Sequence, residues 1–216
     1  GPAVLGERGT PQELDGADVA GRLAEDAVLF LDTRTMAEWH ADGVVGGLFV
    51  PNGNNFATYA SYAIDPERDT QGIVVLAADA DQAAVMRDKL AYTGIDAFEG
   101  YVTSLDALPR EAKPILTPEA FDGRDDLVIL DTRTATEAAP EHFDGSVQIH
   151  SGRVRWRADE LPRDAGILTH CVSGGRSAVA ASVLRHLGYG PVYELKGSWV
   201  GWEQYQAAKG AEATPA

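Results

Sequence analysis

Residues 167–177 read Ile-Leu-Thr-His-Cys-Val-Ser-Gly-Gly-Arg-Ser and contain Cys171, the only cysteine of the chain. A β-favouring segment leads into the cysteine, and a helical stretch at 177–187 follows the two glycines. Strand, glycine-containing loop and helix start, in this order, direct backbone N–H groups and the positive end of a helix at one sulfur. The stretch therefore predicts a thiol with a lowered pKa that acts as a nucleophile at neutral pH.

The spacing of Cys171 and Arg176 indicates the size of the anion that the loop encloses. Four residues separate the two, whereas the loop of cysteine phosphatases is one residue longer because it wraps a whole phosphate. A shorter ring of N–H groups encloses a smaller anion, such as a persulfide with one extra sulfur on the cysteine. Because His170 matches the His-Cys start of phosphatase loops, a cysteine phosphatase or an arsenate-reductase-like enzyme stays an alternative.

The chain contains two copies of one pattern. Residues 28–35 read Val-Leu-Phe-Leu-Asp-Thr-Arg-Thr and reappear at 127–134 as Leu-Val-Ile-Leu-Asp-Thr-Arg-Thr. A repeat of roughly a hundred residues indicates two related domains, since solenoid repeats are much shorter. Short apolar strands alternate with amphipathic helical stretches, which predicts an α/β fold with two small, mostly parallel sheets flanked by helices.

The boundary between the copies is predicted in the proline-containing stretch 108–114. This division gives an N-terminal half (residues 1–110) and a C-terminal half (residues 111–216). In the N-terminal half, Ala77 stands at the position of Cys171 and Gln82 at that of Arg176. We therefore predict an inactive first domain, which either positions a partner domain or supports the structure, and a catalytic second domain.

Composition excludes several classes of function. A net charge of −15 disfavours nucleic acid, whose phosphates an acidic surface repels. No apolar run approaches membrane-spanning length, and the histidines are too scattered for a metal site, so we expect no membrane, metal or cofactor. A single cysteine fits a reducing cytoplasm. The 14 arginines against 4 lysines indicate a bacterial source with a GC-rich genome.

Several ordered motifs resemble the rhodanese family of sulfurtransferases. Residues 171–176 fit that family's C-x-x-G-x-R loop, and 130–133 with Glu137 resemble its LDVR…E segment. Residues 141–146 are similar to its GHIPGA segment, and 188–189 with 195–199 are similar to its LGY…L-x-GG-x ending. The resemblance extends from Leu116 to Ala208.

The resemblance implies two tandem rhodanese-like domains and a sulfurtransferase. Such an enzyme moves a sulfane sulfur from thiosulfate or a low-molecular-weight persulfide to a thiol or cyanide through a persulfide on Cys171. The resemblance also implies that Cys171 and Arg176 are the catalytic residues. The substrate-binding groups that it implies are the N–H groups and hydroxyls of the loop residues Val172, Ser173, Gly174, Gly175 and Ser177. A non-catalytic pair of scaffold domains is the remaining alternative.

Further side chains have less defined roles. Asp131 and Arg133 resemble the family's internal ion pair, and their recurrence in the N-terminal half favours a structural role over a site role for Arg133. His142 is expected to stabilise a turn, with a site role as the alternative. Trp199 is expected to pack on the core or to form a wall of the substrate pocket. His170 should point away from the direction of Cys171, because neighbouring side chains alternate along a strand.

Two other segments carry expectations. The basic residues of 153–157 would share one face if extended, where they would either steer an anionic donor toward the loop or form a solvated rim without a role. Residues 50–62 resemble the inactive middle domain of fusions that join a metallo-β-lactamase-fold persulfide dioxygenase to two rhodanese domains. Residues 1–6 resemble the joint after the dioxygenase, so a dioxygenase domain, fused or separate, is an expected partner. Gly1-Pro2 is equally explained as a tag remnant.

Overall fold

The computed structural model of the protein describes residues 9–212, so the resemblance at 1–6 lies outside the described residues. Within this range the helices are α1 (Gly16–Ala24), α2 (Met36–Asp42), α3 (Phe56–Ala63), α4 (Ala80–Tyr92), α5 (Pro118–Phe121), α6 (Ala135–Ala138), α7 (Ser151–Arg157), α8 (Gly175–His186) and α9 (Ser198–Glu212), with a 3-10 turn at Ala158–Glu160. None of these helices has the length and apolar character that spanning a membrane requires.

The strands within residues 9–212 form two parallel sheets and one short antiparallel pair. The strands are β1 (Val28–Asp32), β2 (Gly43–Val44), β3 (Leu48–Phe49), β4 (Gly72–Leu76), β5 (Phe98–Val102), β6 (Arg110–Glu111), β7 (Ile115–Leu116), β8 (Leu127–Asp131), β9 (Val147–Gln148), β10 (Gly166–His170) and β11 (Val192–Leu195). The first sheet has the order β3-β1-β4-β5, the second has the order β7-β11-β10-β8-β9, and β2 pairs with β6.

The apolar strands are buried because helices cover both faces of each sheet. Every residue of β1 is buried, including Asp32 at its end, as expected for a parallel strand between helical layers. The prediction of an α/β fold with small, mostly parallel sheets flanked by helices is therefore confirmed. One hydrophobic core contains residues of both halves, for example Leu29 of β1 and Leu130 of β8.

Helix α8 joins the two sheets. It follows β10 in the second sheet, yet it also packs against β3 of the first. The backbone N–H of Phe49 in β3 donates to Ser182 Oγ of α8 at 3.0 Å, with both groups buried. A buried donor that lost this partner would carry a desolvation penalty, so the hydrogen bond holds β3 against α8.

Equivalent hydrogen bonds recur at the carboxyl ends of the two sheets. The Thr33 hydroxyl donates to the Leu76 carbonyl at 2.6 Å, and the Thr132 hydroxyl donates to the His170 carbonyl at 2.7 Å. Leu76 ends β4, one of the two inner strands of the first sheet, and His170 ends β10, the central strand of the second, so the residue after Leu76 corresponds in position to Cys171. That residue is Ala77, which is the alignment predicted from the repeat.

The stretch predicted to separate the two copies connects the last strand of the first sheet, β5, to the first strand of the second, β7. Its residues Arg110 and Glu111 form β6 and pair antiparallel with Gly43 and Val44 of β2. Lys113 is buried, and its ammonium lies 4.6 Å from the centre of the Trp39 ring. Burial lowers the pKa of Lys113, and the contact with Trp39 offsets part of its desolvation.

The basic stretch 153–157 is helical rather than extended, so the expectation of a single cationic face is wrong. It belongs to α7, in which residues two positions apart point in different directions. Arg155 pairs with Asp69 of the N-terminal half, and the Asp69 side chain is buried while that of Arg155 is partly buried. Arg157 pairs instead with Glu160, where both side chains are exposed.

The Arg155–Asp69 pair should be a main electrostatic link between the halves. Replacing Arg155 by Met leaves a buried carboxylate without its counter-charge, which should lower the free energy of unfolding by about 3 kcal/mol. The matched control Arg157→Met breaks an exposed pair on the same helix and should cost less than about 1 kcal/mol. Denaturant unfolding of the three proteins measures both values, and equal losses would contradict the assigned role of Arg155.

Candidate active site

The loop between β10 and α8 surrounds Cys171 with hydrogen-bond donors. The backbone N–H of Gly174 donates to Cys171 Sγ at 3.1 Å, and the Ser177 hydroxyl lies 3.7 Å from the same sulfur. Gly174 has φ +108°, a conformation that favours glycine, and this turns its N–H toward the sulfur. The strand, loop and helix start therefore converge on one atom, as residues 167–177 predict.

This arrangement decides the charge state of the sulfur. The Cys171 side chain is 2% exposed, and burial by itself raises the pKa of a thiol. Hydrogen bonds from the backbone N–H groups of Ser177, Gly174 and Ser173 act in the opposite direction and prevail, so the pKa of Cys171 is lowered. Fixed donors around the sulfur favour its thiolate form, which is the nucleophilic form of a cysteine.

The first turn of α9 holds the loop through backbone hydrogen bonds. The N–H of Trp199 donates to the Cys171 carbonyl at 3.1 Å, and the N–H of Val200 donates to the Val172 carbonyl at 3.1 Å. The backbone N–H of Cys171 itself donates to Ser198 Oγ at 3.0 Å. Both carbonyl and N–H groups next to the nucleophile are thus satisfied by the first turn of one helix.

Ser198 is a site residue that the sequence reasoning missed. It is fully buried, and its hydroxyl lies 3.3 Å from Ser177 Oγ and 3.9 Å from Cys171 Sγ. Its φ of +54° is strained for a residue with a side chain. The signal was present in the sequence, because Ser198 stands where the resembling motif has a second glycine.

Arg176 points along the mouth of the loop toward Glu137. Its guanidinium donates two hydrogen bonds to the Glu137 carboxylate, at 2.7 and 2.8 Å. This pairing raises the pKa of Arg176 and lowers that of Glu137. The guanidinium therefore binds a carboxylate of α6 at the mouth of the loop.

His170 is buried on the far side of the strand, as alternation along β10 predicts. Its Nε2 has no hydrogen-bond partner among the described residues and lies 3.7 Å from Asp131 Oδ2. Burial lowers the pKa of His170 to about 4, so the ring is neutral at physiological pH. Phe143 and Trp199 pack on the ring.

The other candidate residues lie around this core. Arg133 is buried, forms the expected ion pair with Asp131, and stacks over Trp199 at 4.3 Å. Trp199 is half-buried and contacts Phe143. His142 is exposed and its Nδ1 lies 3.2 Å from the Ala138 carbonyl, which fits the expected turn-stabilising role. The described side-chain contacts of these three residues do not include Cys171.

A cavity of about 410 Å³ opens beside the loop, between the two halves. Ser173, Gly174 and Ser177 line it on the loop side, and Met36 and His40 of α2 line it on the opposite side. His40 Nε2 lies 2.8 Å from the buried Glu194 carboxylate, which Arg185 also contacts. Among residues 9–212, no cluster of three or more potential metal-ligating His, Cys, Asp or Glu side chains is found.

The buried hydroxyl of Ser198 allows a test of how the loop is held. Ser198→Ala keeps the strained backbone and removes the partner of the Cys171 N–H, which should cost about 1–3 kcal/mol of unfolding free energy. Ser198→Gly removes the same partner and also relieves the strain, so this variant should be about 1 kcal/mol more stable than Ser198→Ala. Thermal or denaturant unfolding measures the order, and a more stable Ala variant would contradict the described geometry.

Comparisons with known proteins match the region that holds this loop. A family model described as a rhodanese-like domain matches residues 119–205. A sulfurtransferase of Allochromatium vinosum is 31% identical over 81 residues, which are 38% of this chain and 76% of that protein. Both matches cover less than half of this chain.

Solved structures were also compared. A thiosulfate sulfurtransferase from Pseudomonas aeruginosa is 19% identical and covers 88% of this chain and 42% of that one, with a TM-score of 0.40. A rhodanese-related protein from Thermoplasma volcanium is 22% identical and covers 47% of this chain and 95% of that one, with a TM-score of 0.41.

Proposed function

The chain belongs to the rhodanese family, and we propose that it is a sulfurtransferase whose C-terminal half carries a sulfane sulfur on Cys171. The donor is thiosulfate or a low-molecular-weight persulfide, and the acceptor is a thiol or cyanide. The observation that carries this proposal is the geometry around Cys171, whose sulfur accepts the Gly174 N–H at 3.1 Å where α8 begins, with N–H donors that lower the pKa of the thiol. A thiolate held by such donors is both the attacking group and the holder of the transferred sulfur.

The first step loads the sulfur. The Cys171 thiolate attacks the outer sulfur of the donor, a new sulfur–sulfur bond forms, and the donor's sulfur–sulfur bond breaks. The electron pair of the broken bond leaves with sulfite or with a thiolate. The persulfide that remains carries one negative charge, and the N–H groups of residues 173–177 stabilise it because they are fixed before the reaction.

The second step unloads the sulfur. A thiolate or cyanide attacks the outer sulfur of the Cys171 persulfide, and the electron pair of the breaking bond returns to Cys171 as a thiolate. The cavity beside the loop offers room for the body of the acceptor, with the loop residues Ser173 and Gly174 on one wall. No proton needs to be removed from the enzyme in either step, so the neutral, buried His170 is not required as a base.

We propose further that residues 1–110 form an inactive rhodanese-like domain and residues 111–216 an active one. In the N-terminal half, the Gln82 side-chain oxygen accepts the N–H of Ala78 at 2.9 Å. This amide takes a donor of the loop that follows β4, and Ala77 offers no sulfur. A persulfide dioxygenase domain, fused or separate, is a proposed partner that would consume persulfide.

Cys171→Ser should abolish sulfur transfer and leave the fold intact, because the side chain is buried and the change is nearly isosteric. After thiosulfate treatment, intact-mass measurement should show the gain of one sulfur atom in the wild type and none in the variant. A wild type that gains no sulfur but hydrolyses a chromogenic phosphate ester would contradict sulfur transfer and favour the phosphatase. A protein that does neither would be a scaffold.

Arg176→Ala should slow loading from thiosulfate more than loading from an alkyl persulfide, whose body carries no charge. Loss of one charge-assisted contact to an anion predicts about a tenfold effect or more on thiosulfate. Glu137→Gln is the matched control, because it breaks the same ion pair and keeps both the cation and the capping ability of residue 137.

Single-turnover loading rates with both donors separate these effects. Glu137→Gln should keep or increase the rate with thiosulfate, since it frees the guanidinium. Equal losses with both donors in Arg176→Ala would show that Arg176 only braces the loop.

A further inference from the structure

Helix α3 of the N-terminal half lies against the C-terminal half beside the active loop. It packs on α4 of its own half and on α7 and α8 of the other. Its residues Phe56, Ala60 and Ala63 are fully buried. Tyr59 and Tyr62 are half-buried, and the Tyr62 ring contacts His150 with centroids 5.4 Å apart. The segment 50–62 therefore supplies two tyrosines at this boundary.

Both glycines of the active loop touch the N-terminal half. A Cβ built on Gly174 would lie 3.3 Å from Met36 Sδ, and a Cβ built on Gly175 would lie 3.2 Å from Tyr59 Oη. The loop's outer surface is thus covered by one apolar side chain and by one hydroxyl. The N–H of Gly174 donates to Cys171 Sγ. The Tyr59 hydroxyl contacts the next residue, Gly175, so it lies beside the N–H groups that surround the sulfur.

The charge of Cys171 affects the pKa of the Tyr59 hydroxyl. Burial raises the pKa of Tyr59, and the negative charge on Cys171 raises it further, while Arg176 opposes both. The phenol is therefore protonated at neutral pH and is available as a hydrogen-bond donor. A donor beside a reacting anion stabilises charge that develops there.

We infer that the N-terminal half completes the sulfur-transfer site, and that the Tyr59 hydroxyl donates a hydrogen bond to the oxyanion of the sulfur donor bound above Cys171. The inference rests on the proposed function. When the donor's sulfur–sulfur bond breaks, the electron pair leaves with sulfite, and Tyr59 stabilises the sulfite oxygens without transferring its proton. Tyr59 is thus a specificity residue that favours oxyanion donors such as thiosulfate over alkyl persulfides.

Tyr59→Phe tests this role because it removes only the hydroxyl. Single-turnover loading of Cys171 from thiosulfate, followed by intact mass, should slow about tenfold or more, as expected for a hydrogen bond to a charged group. Loading from an alkyl persulfide should be nearly unchanged. Tyr62→Phe is the matched control, since its ring lies on the same helix but against Gly152, whereas the Tyr59 hydroxyl lies against Gly175 of the loop, and it should leave both rates unchanged.

The outcomes that overturn the inference are distinct from failure of the proposed function. If the wild type takes no sulfur from either donor, sulfur transfer and the role of Tyr59 both fail. If the wild type loads normally and Tyr59→Phe loads thiosulfate at the same rate, only the role of Tyr59 fails. Equal slowing with both donors also overturns it, because the hydroxyl would then support the loop and not the donor.

A double-mutant cycle with Gly175→Ala tests the contact itself. The added methyl should displace the Tyr59 hydroxyl and slow loading from thiosulfate in the wild-type background. In the Tyr59→Phe background, the same methyl should have little further effect, because the hydroxyl that it displaces is gone. Fully additive losses would contradict a functional contact between Tyr59 and Gly175.

Discussion

The structure around Cys171 depends on one electrostatic constraint, which is that a buried sulfur must carry a negative charge. Burial alone opposes this charge, and the N–H groups of Ser177, Gly174 and Ser173 outweigh the burial. These donors are available because β10 ends and α8 begins within a few residues, and because Gly174 adopts a left-handed conformation. Carbonyls of the loop are in turn held by the first turn of α9.

The same arrangement of strand ends and hydrogen bonds occurs in both halves, but the residue after the central strand differs. Both sheets end in an aspartate–arginine pair, Asp32 with Arg34 and Asp131 with Arg133. Threonine hydroxyls then bond the last carbonyl of each central strand. The sulfur is present in one copy only, so the scaffold by itself does not make a reactive site. What the N-terminal copy offers instead is its surface, with Met36 and Tyr59 against the loop.

The sequence allowed the α/β fold and the geometry of the Cys171 loop to be predicted, because both follow from local patterns and strand ends. It did not reveal Tyr59 or Met36 at the loop, since their position depends on how two halves pack over a hundred residues apart in sequence. The pairing of Arg176 with Glu137 was missed because it depends on how α6 packs beside the loop, 39 residues away in sequence. The helical state of 153–157 was missed because its charged and apolar residues alternate with the period of a strand. Ser198 could have been found, because a serine in a glycine position of a motif invites a structural explanation.

The charge state of Cys171 is tested most directly by titrating the ultraviolet absorbance of its thiolate, as a difference between the wild type and Cys171→Ser. The chain has one cysteine, so the signal has one source, and the method does not depend on access of a reagent to a buried atom. We predict a midpoint below the pKa of an ordinary cysteine thiol, about 8.5. A midpoint above that value would show that burial prevails over the N–H groups, and would contradict the proposed nucleophile.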